Sequence, residues 1–578
     1  MRLKKSKSKN SISYSIIEDY NNNGKRTTRV VEALGNIEQI KIKAQGEDPY
    51  IWMNNYVALL NKEKEENEGL VLIRLSQKNK SSINQQTLYN GGYLFLQKIY
   101  YDLNIDDICN EITDKYQFKY DLNSILSNLI YSRIIYPSSK LKTLELTKRF
   151  LEPPNFELQH IYRALEIITK ENDYIQSELY KNSCKYSKRN DKVLFYDCTN
   201  YYFEIEQEDD FRKYGKSKEN RPNPIVQMGL FLDGDGIPLA FDMTPGNTNE
   251  QKTLKPLEEK IIKDFENSKF VVCTDAGLAS TANRKFNNKQ NRVFITTQSL
   301  KKLKAYLQDW ALDLTKGWKL PNSNKTYNIS KLREDENLIK VYKDKIFYKE
   351  RWINENGLEQ RLIVTYSVKY QEYQKNIRKK QIDRAIKIIE KNPKKIGKPK
   401  QNDPKRFISS INTTETGEVA TETHYEINLD AIKEETKFDG LYSVCTNLED
   451  DVIEIIKINK RRWEIEESFR IMKSEFNARP VYLSREDRIK AHFTTCFLAL
   501  IIYRFLEKKL DEKYTTIEII ETLRNYNFKE LRGYGYIHTY TPTEVTNELH
   551  KKFNIETDFE IVSTKKMKKY FTQTKNKK

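Results

Sequence analysis

The feature that most constrains the fold of this 578-residue chain is a change of hydrophobic period at Val193. Before this residue, apolar side chains recur at helical spacing. After it come the apolar runs VLFYD, IVQMGLFLD, IPLAFDM, FVVCTD and RVFITT, separated by polar turns and a helical segment. Short apolar runs bounded by turn residues indicate buried strands. Their order predicts a mixed α/β sheet flanked by helices, with at least one parallel crossover.

The surrounding pattern divides the chain into five segments. Residues 1–85 indicate a small, partly β arm, and residues 86–185 indicate a helical unit that either binds DNA or only packs. The first part of the sheet occupies 186–300, and a β-rich insertion follows at 301–447. Its basic loop, NPKKIGKPKQNDPKR, is either a linker or a phosphate contact. Residues 448–578 return to the sheet and end in a basic tail, which we expect to be disordered.

The overall charge favours a polyanionic partner. The chain has 100 Lys and Arg against 82 Asp and Glu, a net charge of +18, and a pI of about 9.1. These values favour nucleic acid, although a solvated basic surface gives the same totals. Six dispersed cysteines and five histidines argue against a disulfide framework and against a zinc site.

The chain shows no secretory or membrane signal that we recognise. No apolar segment follows the basic N-terminus, and the longest apolar run, Cys496–Tyr503, is too short to cross a bilayer. We therefore expect a soluble protein of the cytoplasm with no membrane partner.

Two aspartates each follow an apolar run at a position where α/β sheets place ligands. Asp197 closes VLFYD and is followed by a polar turn, and Asp275 closes FVVCTD. Open α/β sheets bind ligands at the carboxyl ends of their strands. Either aspartate taken alone is more often just the point where a strand reaches solvent.

A third acid lies in the stretch NKRRWEIEESFRIMK, which predicts an amphipathic helix. At about 100° per residue, one stripe carries one acid among polar and cationic residues, namely Asn459, Arg462, Glu466, Arg470 and Lys473. The alternative is a solvated face whose ordinary i,i+4 ion pairs contribute a few tenths of a kcal/mol each. If Glu466 meets Asp197 and Asp275, the three carboxylates supply hard oxygen ligands for Mg²⁺. Two such ions support in-line displacement at phosphorus.

These motifs together resemble the DDE transposases of bacterial insertion sequences, in the branch with a Y-x2-R-x3-E-x6-K signature. Arg462, Glu466 and Lys473 match its R, E and K, whereas Asn459 replaces the Tyr. Further matches are YDCTNYYF, CTDAGLASTAN, GxPLxFxxxPGNxxE and ARPVYLSREDRIKAHFTTCFLAL, and the resemblance covers roughly residues 88–510. The 191-residue interval from Asp275 to Glu466 fits the β-strand insertion of this branch.

The resemblance implies an RNase H-like core in which Asp197, Asp275 and Glu466 hold two Mg²⁺ ions, with Mn²⁺ as a substitute. It also implies phosphate contacts from Arg462 and Lys473. The expected DNA contacts are four residues of the helical stretch, Arg462, Lys473, Arg470 and Asn459, and one aromatic residue of the insertion, Trp318. Trp310 and Trp352 are further candidates for the aromatic contact.

The activity implied is cleavage of double-stranded DNA at the inverted-repeat ends of an element, followed by attack of the freed 3′-hydroxyls on target DNA. Two ends require a homodimer or a higher assembly, associated with the nucleoid. Two alternatives stay open. A nuclease on the same core would cut without strand transfer, and a non-catalytic relic would only bind DNA.

Overall fold

The computed structural model describes residues 1–8, 11–22, 25–68, 86–289, 291–391, 402–413, 419–531 and 533–577. The chain forms two compact units, Met1–Gln85 and Gln86–Lys578. Most of the basic loop expected after the insertion's long helix, residues 392–401, lies outside the described residues.

The first unit combines a small sheet with two helices. Its antiparallel sheet has the order β1-β2-β3, and its elements are β1 (Arg2–Lys7), β2 (Ile12–Asn22), β3 (Lys25–Asn36), α1 (Ile37–Ala44) and α2 (Pro49–Glu68). A capping box formed by Asn36 and Gln39 starts α1. Tyr14, Ile16 and Met53 belong to its small buried core.

A helical layer opens the second unit and precedes the large sheet. It consists of a short strand and six helices: β4 (Leu88–Asn90), α3 (Tyr93–Asp102), α4 (Ile105–Tyr116), α5 (Leu122–Ile135), α6 (Lys140–Thr147), α7 (Leu158–Lys170) and α8 (Asn172–Tyr186). Helix α5 is buried along almost its whole length, because apolar residues surround it on all sides.

The five strands expected after Val193 form the centre of a ten-stranded sheet. They are β5 (Val193–Tyr202), β6 (Ile225–Asp233), β7 (Pro238–Pro245), β8 (Phe270–Thr274) and β9 (Arg292–Thr297), with α9 (Leu254–Asp264) and α10 (Thr281–Phe286) between them. β5, β6 and β7 pair antiparallel, whereas β5–β8 and β8–β9 pair parallel. The order β7-β6-β5-β8-β9 is that of an RNase H-like fold. The predicted fold class is confirmed.

One strand end differs from the sequence prediction. The apolar run was expected to stop at Asp197, but β5 continues through Tyr202 in register with β6. Cys198, Thr199 and Asn200 are buried strand residues rather than a turn. The parallel pairing with β8 does end here, at Tyr196 and Thr274, so β5 extends beyond its neighbour.

The insertion extends the same sheet and adds helices around it. Its elements are α11 (Ala305–Leu312), β10 (Trp318–Lys319), β11 (Thr326–Tyr327), α12 (Ile329–Glu334), α13 (Glu336–Tyr342), β12 (Ile346–Glu355), β13 (Leu358–Ser367), α14 (Val368–Lys391), β14 (Ile408–Thr413), β15 (Val419–Ile427), α15 (Leu429–Thr436) and β16 (Leu441–Thr446). β16 pairs with β9, which gives the full order β11-β10-β12-β13-β16-β9-β8-β5-β6-β7. β14 and β15 form a separate hairpin.

The rest of the chain packs helices against the sheet and adds a small second sheet, ordered β19-β18-β17-β4. Its elements are α16 (Val452–Lys460), α17 (Trp463–Arg470), α18 (Glu486–Lys509), α19 (Thr516–Asn525), β17 (Asn527–Leu531), β18 (Gly535–His538), α20 (Glu544–Phe553), β19 (Val562–Ser563) and α21 (Thr564–Lys575). The expectation of a disordered tail is wrong, because α21 buries Met567, Tyr570 and Thr574.

Helix α18 forms the centre of the core of the second unit. Within the described part of the chain, α18 alone has the length and composition of a membrane-crossing helix. However, 94% of its apolar window is buried inside the protein. The apolar surface of α18 is therefore buried within the protein, in contact with α5 and α7.

Candidate active site

The sheet brings Asp197 and Asp275 next to each other. Asp197 follows Tyr196 on β5, and Asp275 follows Thr274 at the end of β8; Tyr196 and Thr274 are partners in the parallel pairing. Asp275 is held by a turn, in which its Oδ1 accepts hydrogen bonds from the backbone N–H groups of Gly277 (2.9 Å) and Leu278 (3.0 Å). The two carboxylates therefore lie within electrostatic range of each other at the carboxyl end of β8.

The surroundings of Asp197 disfavour its charged form. Burial raises the pKa of Asp197 to about 6, and the charge of Asp275 acts in the same direction, against the opposing effects of Lys218 and Arg462. A carboxylate whose pKa is raised by burial and by a neighbouring acid is a candidate for a functional site.

A lysine from the loop between β5 and β6 approaches Asp197. Lys218 Nζ lies 3.9 Å from Asp197 Oδ1 and 3.4 Å from Glu250 Oε1, and it donates a hydrogen bond to the carbonyl of Cys198. Although burial opposes its charge, Asp197 and Glu250 raise the pKa of Lys218. The loop therefore places a positive charge beside the aspartate pair.

The third expected acid lies on a helix whose shape differs from the prediction. Instead of one regular helix over Asn459–Lys473, α16 ends at Lys460, α17 spans Trp463–Arg470, and Ile471–Glu475 form a π-helical turn. π turns commonly occur at functional sites. Because of this turn and the break at Lys460, the stripe expected at 100° per residue is not a single face.

Glu466 is linked to the aspartates through Arg462. Its side chain is 62% exposed, and its Oε1 lies 3.3 Å from Arg462 Nη2. Burial opposes the charge of Arg462, but Tyr442, Glu466 and Asp197 raise its pKa. Arg462 thus lies within the electrostatic range of both Glu466 and Asp197. Glu466 and Arg462 also line a cavity of about 650 Å³.

The structure does not gather all three acids into a ready ligand set. Across the described ranges, no group of three His, Cys, Asp or Glu side chains is placed to hold a metal ion. The aspartate pair nevertheless fits Mg²⁺ chemically, because it offers hard oxygen donors and leaves other positions for water and phosphate oxygens. Glu466 is exposed and is held by one ion pair, so it belongs to the same charged region without contacting the pair.

Lys473, an expected DNA contact, is anchored two residues beyond Asp197 on β5. Its Nζ donates to Thr199 Oγ1 at 2.6 Å, and Glu219 Oε1 is 3.5 Å away. Burial and the nearby charge of Lys218 lower the pKa of Lys473 to about 8. Glu219 also pairs with Arg479. A chain of alternating charges therefore runs from the aspartates towards the end of the Glu466 helix.

Two other residues of the expected stripe are already paired. Arg470 is bound by Glu467 at 2.6 Å and by Glu475 at 3.6 Å, and no ion pair joins it to Glu466 in the described structure. Asn459 is buried, and its Nδ2 donates to the hydroxyl of Tyr442 at 3.0 Å. A DNA contact through Asn459 would have to replace that hydrogen bond.

The expectation that Trp318 contacts DNA is contradicted by its position. Trp318 is fully buried in the core of the insertion, and its Nε1–H donates to the carbonyl of Asp313 at 3.0 Å. The ammonium of Lys349 lies 4.7 Å from its ring centroid. The indole of Trp318 is therefore packed inside the protein. Trp352, by contrast, is 45% exposed.

Several residues of the site could not be predicted from the motifs or from the hydrophobic pattern of the sequence. Lys218 and Glu219 sit in a polar loop, and Tyr442 is an ordinary strand residue whose hydroxyl contacts Thr297 at 2.6 Å. Glu250 is the exception, because it closes the motif GxPLxFxxxPGNxxE. The motif signalled its importance, although not its contact with Lys218.

A family model described as "Transposase DDE domain" matches residues 188–502, more than half of the chain. The chain belongs to the transposase DDE domain family. The matched range begins just before β5 and ends within α18, so this DDE domain includes both aspartates, the insertion and the Glu466 helix. A transposase domain is consistent with the basic charge of the chain.

Comparison with solved structures returned transposases bound to DNA. One is the piggyBac transposase synaptic complex with hairpin DNA, with 8% sequence identity, a TM-score of 0.35, and coverage of 85% of this chain and 88% of that chain. Another is the Mos1 transposase paired-end complex with the left transposon end, with 10% identity, a TM-score of 0.13, and coverage of 43% and 68%. No curated protein matches the chain.

Proposed function

We propose that this transposase-family protein cuts double-stranded DNA at the ends of an insertion sequence and joins the 3′-hydroxyl ends to target DNA. The observation that carries the proposal is that Asp197 and Asp275 directly follow the paired residues Tyr196 and Thr274, at the point where β8 ends. In a DDE domain, adjacent acids at this position serve phosphodiester chemistry.

Asp197 and Asp275 would hold divalent cations, Mg²⁺ or in its place Mn²⁺, with Glu466 completing the set. When bound, two such ions would supply charge stabilisation for both the attacking and the leaving oxygen of an in-line displacement at phosphorus. The protein's own cations have a separate task. Arg462 and Lys473 flank the acids and neutralise backbone phosphates, which orients the scissile strand.

We place the chain in the branch with the Y-x2-R-x3-E-x6-K signature. Arg462, Glu466 and Lys473 support this assignment, and Tyr442 supplies a phenol beside Asn459, where the signature Tyr is missing. Arg470 is proposed as a more peripheral DNA contact, since it must first leave Glu467. Bringing two element ends together requires a homodimer or a higher assembly on DNA.

A test uses labelled DNA that carries the sequence flanking the reading frame, incubated with the protein and Mg²⁺. We expect nicked ends and joined products with the wild type. Asp197→Asn, Asp275→Asn and Glu466→Gln should each lose cleavage and keep DNA binding. Glu467→Gln is the matched control, because it neutralises the adjacent acid of the same helix and should keep cleavage.

Each alternative gives a different outcome. Nicks without joined products would favour a nuclease on the same core. DNA binding without any cleavage would favour a non-catalytic relic. Full cleavage by Glu466→Gln would remove Glu466 from the proposed site, and full cleavage by Asp197→Asn would refute the proposed chemistry.

A further inference from the structure

A second cavity of about 500 Å³ lies apart from the aspartates and is lined by cationic, hydroxyl and aromatic residues. Its walls come from the α5–α6 connection, from the segment after the π turn and from α18. The residues that line it are Arg133, Pro137, Ser138, Ser139, Lys140, Leu141, Tyr162, Asn477, Arg479, Pro480, Val481, Tyr482, Leu483 and His492. None of these residues is acidic.

Lys140 is the decisive residue of this cavity. It is only 5% exposed, and in the described structure its ammonium makes no hydrogen bond or ion pair. Burial and the nearby charge of Arg133 lower the pKa of Lys140 to about 7. A buried cation without an anionic partner is unfavourable and rare in folded proteins.

The neighbouring groups do not supply the missing anion. Arg133 donates hydrogen bonds to the backbone carbonyls of Phe476 (3.1 Å) and Ser138 (3.1 Å). These bonds hold its guanidinium in the cavity wall. His492 is bonded through Nε2 to the carbonyl of Ala478, and burial together with the charges of Arg133 and Lys140 holds its pKa well below the usual value. The local potential is therefore positive.

The cavity also receives the start of α6. Ser139 caps this helix by accepting a hydrogen bond from the N–H of Lys142. The first backbone N–H groups of a helix, here those of Lys140 and Leu141, have no intrahelical acceptor. Free N–H groups and the positive end of the helix dipole favour an anion at the same place as the Lys140 ammonium.

We propose that this cavity binds a phosphate group, and that under the proposed function the phosphate belongs to the DNA backbone. Arg479 lines the cavity and also pairs with Glu219, whose carboxylate is 3.5 Å from Lys473 Nζ. The cavity is thus connected with the aspartates through consecutive charged side chains. A strand entering the site would meet Lys473 near the acids and Lys140 farther along its backbone.

The first experiment measures phosphate binding without DNA or catalysis. Thermal unfolding of the full chain is followed in inorganic phosphate and in chloride at equal ionic strength. We expect phosphate to raise the unfolding temperature of the wild type and of Lys142→Met, but not of Lys140→Met. Lys142 is the matched control, since it lies on the same helix and is exposed and paired with Glu145 at 2.7 Å.

A second measurement covers the case in which Lys140→Met does not fold. Wild-type protein is treated with pyridoxal 5′-phosphate, whose aldehyde condenses with a free amine, and borohydride reduces the imine. Peptide mass spectrometry should find Lys140 modified in preference to Lys142, with protection by inorganic phosphate. Equal modification of the two lysines would overturn the proposal.

A third experiment tests whether the bound phosphate belongs to DNA or to a free phosphate compound. Binding of a labelled duplex is measured over a range of salt concentrations. Lys140→Met should bind about tenfold more weakly and lower the slope of log K against log salt by about 0.9, the value for one lost phosphate contact.

An unchanged slope together with a lost phosphate effect would overturn DNA as the source and assign the cavity to a free phosphate compound. Absence of any phosphate effect in the wild type would overturn the site altogether. These readouts need no cleavage, so a protein that binds phosphate at Lys140 but does not cut DNA would contradict only the proposed function.

Discussion

Lys218 occupies the region that a cation bound to the aspartates would need, so replacing it should strengthen metal binding. Its Nζ is 3.9 Å from Asp197 Oδ1 and 3.4 Å from Glu250 Oε1. The ammonium offsets part of the negative charge that would attract a divalent ion, and it repels the ion directly. The variant Lys218→Met removes both effects while keeping an unbranched side chain.

The distance sets the size of the effect. Two unit charges about 4 Å apart interact by about 1 kcal/mol in water, and an ammonium and a divalent ion by about 2 kcal/mol. This is about a 30-fold change in Kd. Because Lys218 is 37% exposed and can turn away from an arriving ion, we expect a gain of about tenfold.

Isothermal titration with MnCl₂ at pH 8 measures this gain directly. Burial raises the pKa of Asp197 to about 6, so at pH 8 the carboxylate is ionised and protons do not compete with the metal. Lys216→Met is the matched control, because it removes one charge from an exposed position of the same loop. Asp197→Asn should abolish the binding.

If Lys218→Met binds Mn²⁺ no more tightly than Lys216→Met does, Lys218 does not oppose metal binding. Weaker Mn²⁺ binding by Lys218→Met than by the wild type would also contradict the prediction, since Lys218 would then favour metal binding. A gain of similar size in both variants would point to net charge as the cause and would remove the specific role of Lys218.

Two further predictions concern stability. Burial raises the pKa of Glu258 from 4.5 to about 8, so its contribution to folding is complete below about pH 4.5 and is lost as pH rises through 8. Glu258→Gln should keep the pairing with Asn287 and remove about 3–4 kcal/mol of the stability difference between pH 5 and pH 8, measured by urea unfolding. An unchanged difference would contradict the assignment. Trp318→Ala should cost about 3–5 kcal/mol of unfolding free energy, whereas Trp352→Ala should cost much less; a selective loss of DNA binding by Trp318→Ala at wild-type stability would contradict its core role.

The central strands could be predicted because their cause is local. Each of β5 to β9 is an apolar run that is buried in the finished sheet, and turn residues separate the runs. The end of β5 could not be predicted in this way. Asn200 is polar and resembles a turn residue, yet its side chain is satisfied by Lys216 and Lys218, which are far along the chain.

The C-terminal tail is a second element that could not be predicted from local sequence, because it is ordered where disorder is expected. Its many lysines resemble a disordered segment, because charge density dominates the composition. The decisive residues are few: Met567, Tyr570 and Thr574 lie three and four positions apart and form one buried stripe. Gln97 then donates to Thr574 at 2.8 Å. A helix this polar is stabilised by tertiary contacts, which sequence periodicity alone does not weigh.

The acids of the candidate site could be predicted from the sequence, whereas the cations beside them could not. Asp197 and Asp275 follow from the strand pattern, but Lys218 is one of 100 basic residues and carries no local signal. Its position has a physical reason, since neighbouring carboxylates repel each other and the nearby ammonium of Lys218 offsets part of that repulsion.

The aspartate pair and the cavity at Lys140 differ in how far nearby charges compensate them. Around Asp197, the cations Lys218 and Arg462 offset the acids, so the protein can fold before any ion binds. Among the described residues around Lys140, no acid lines the cavity or offsets the charge of the lysine. Near the aspartates, Glu219 pairs with both Lys473 and Arg479, so one acid partly offsets two cations. Lys140 lacks even this partial compensation among the described residues, which is why we propose the phosphate site beside it.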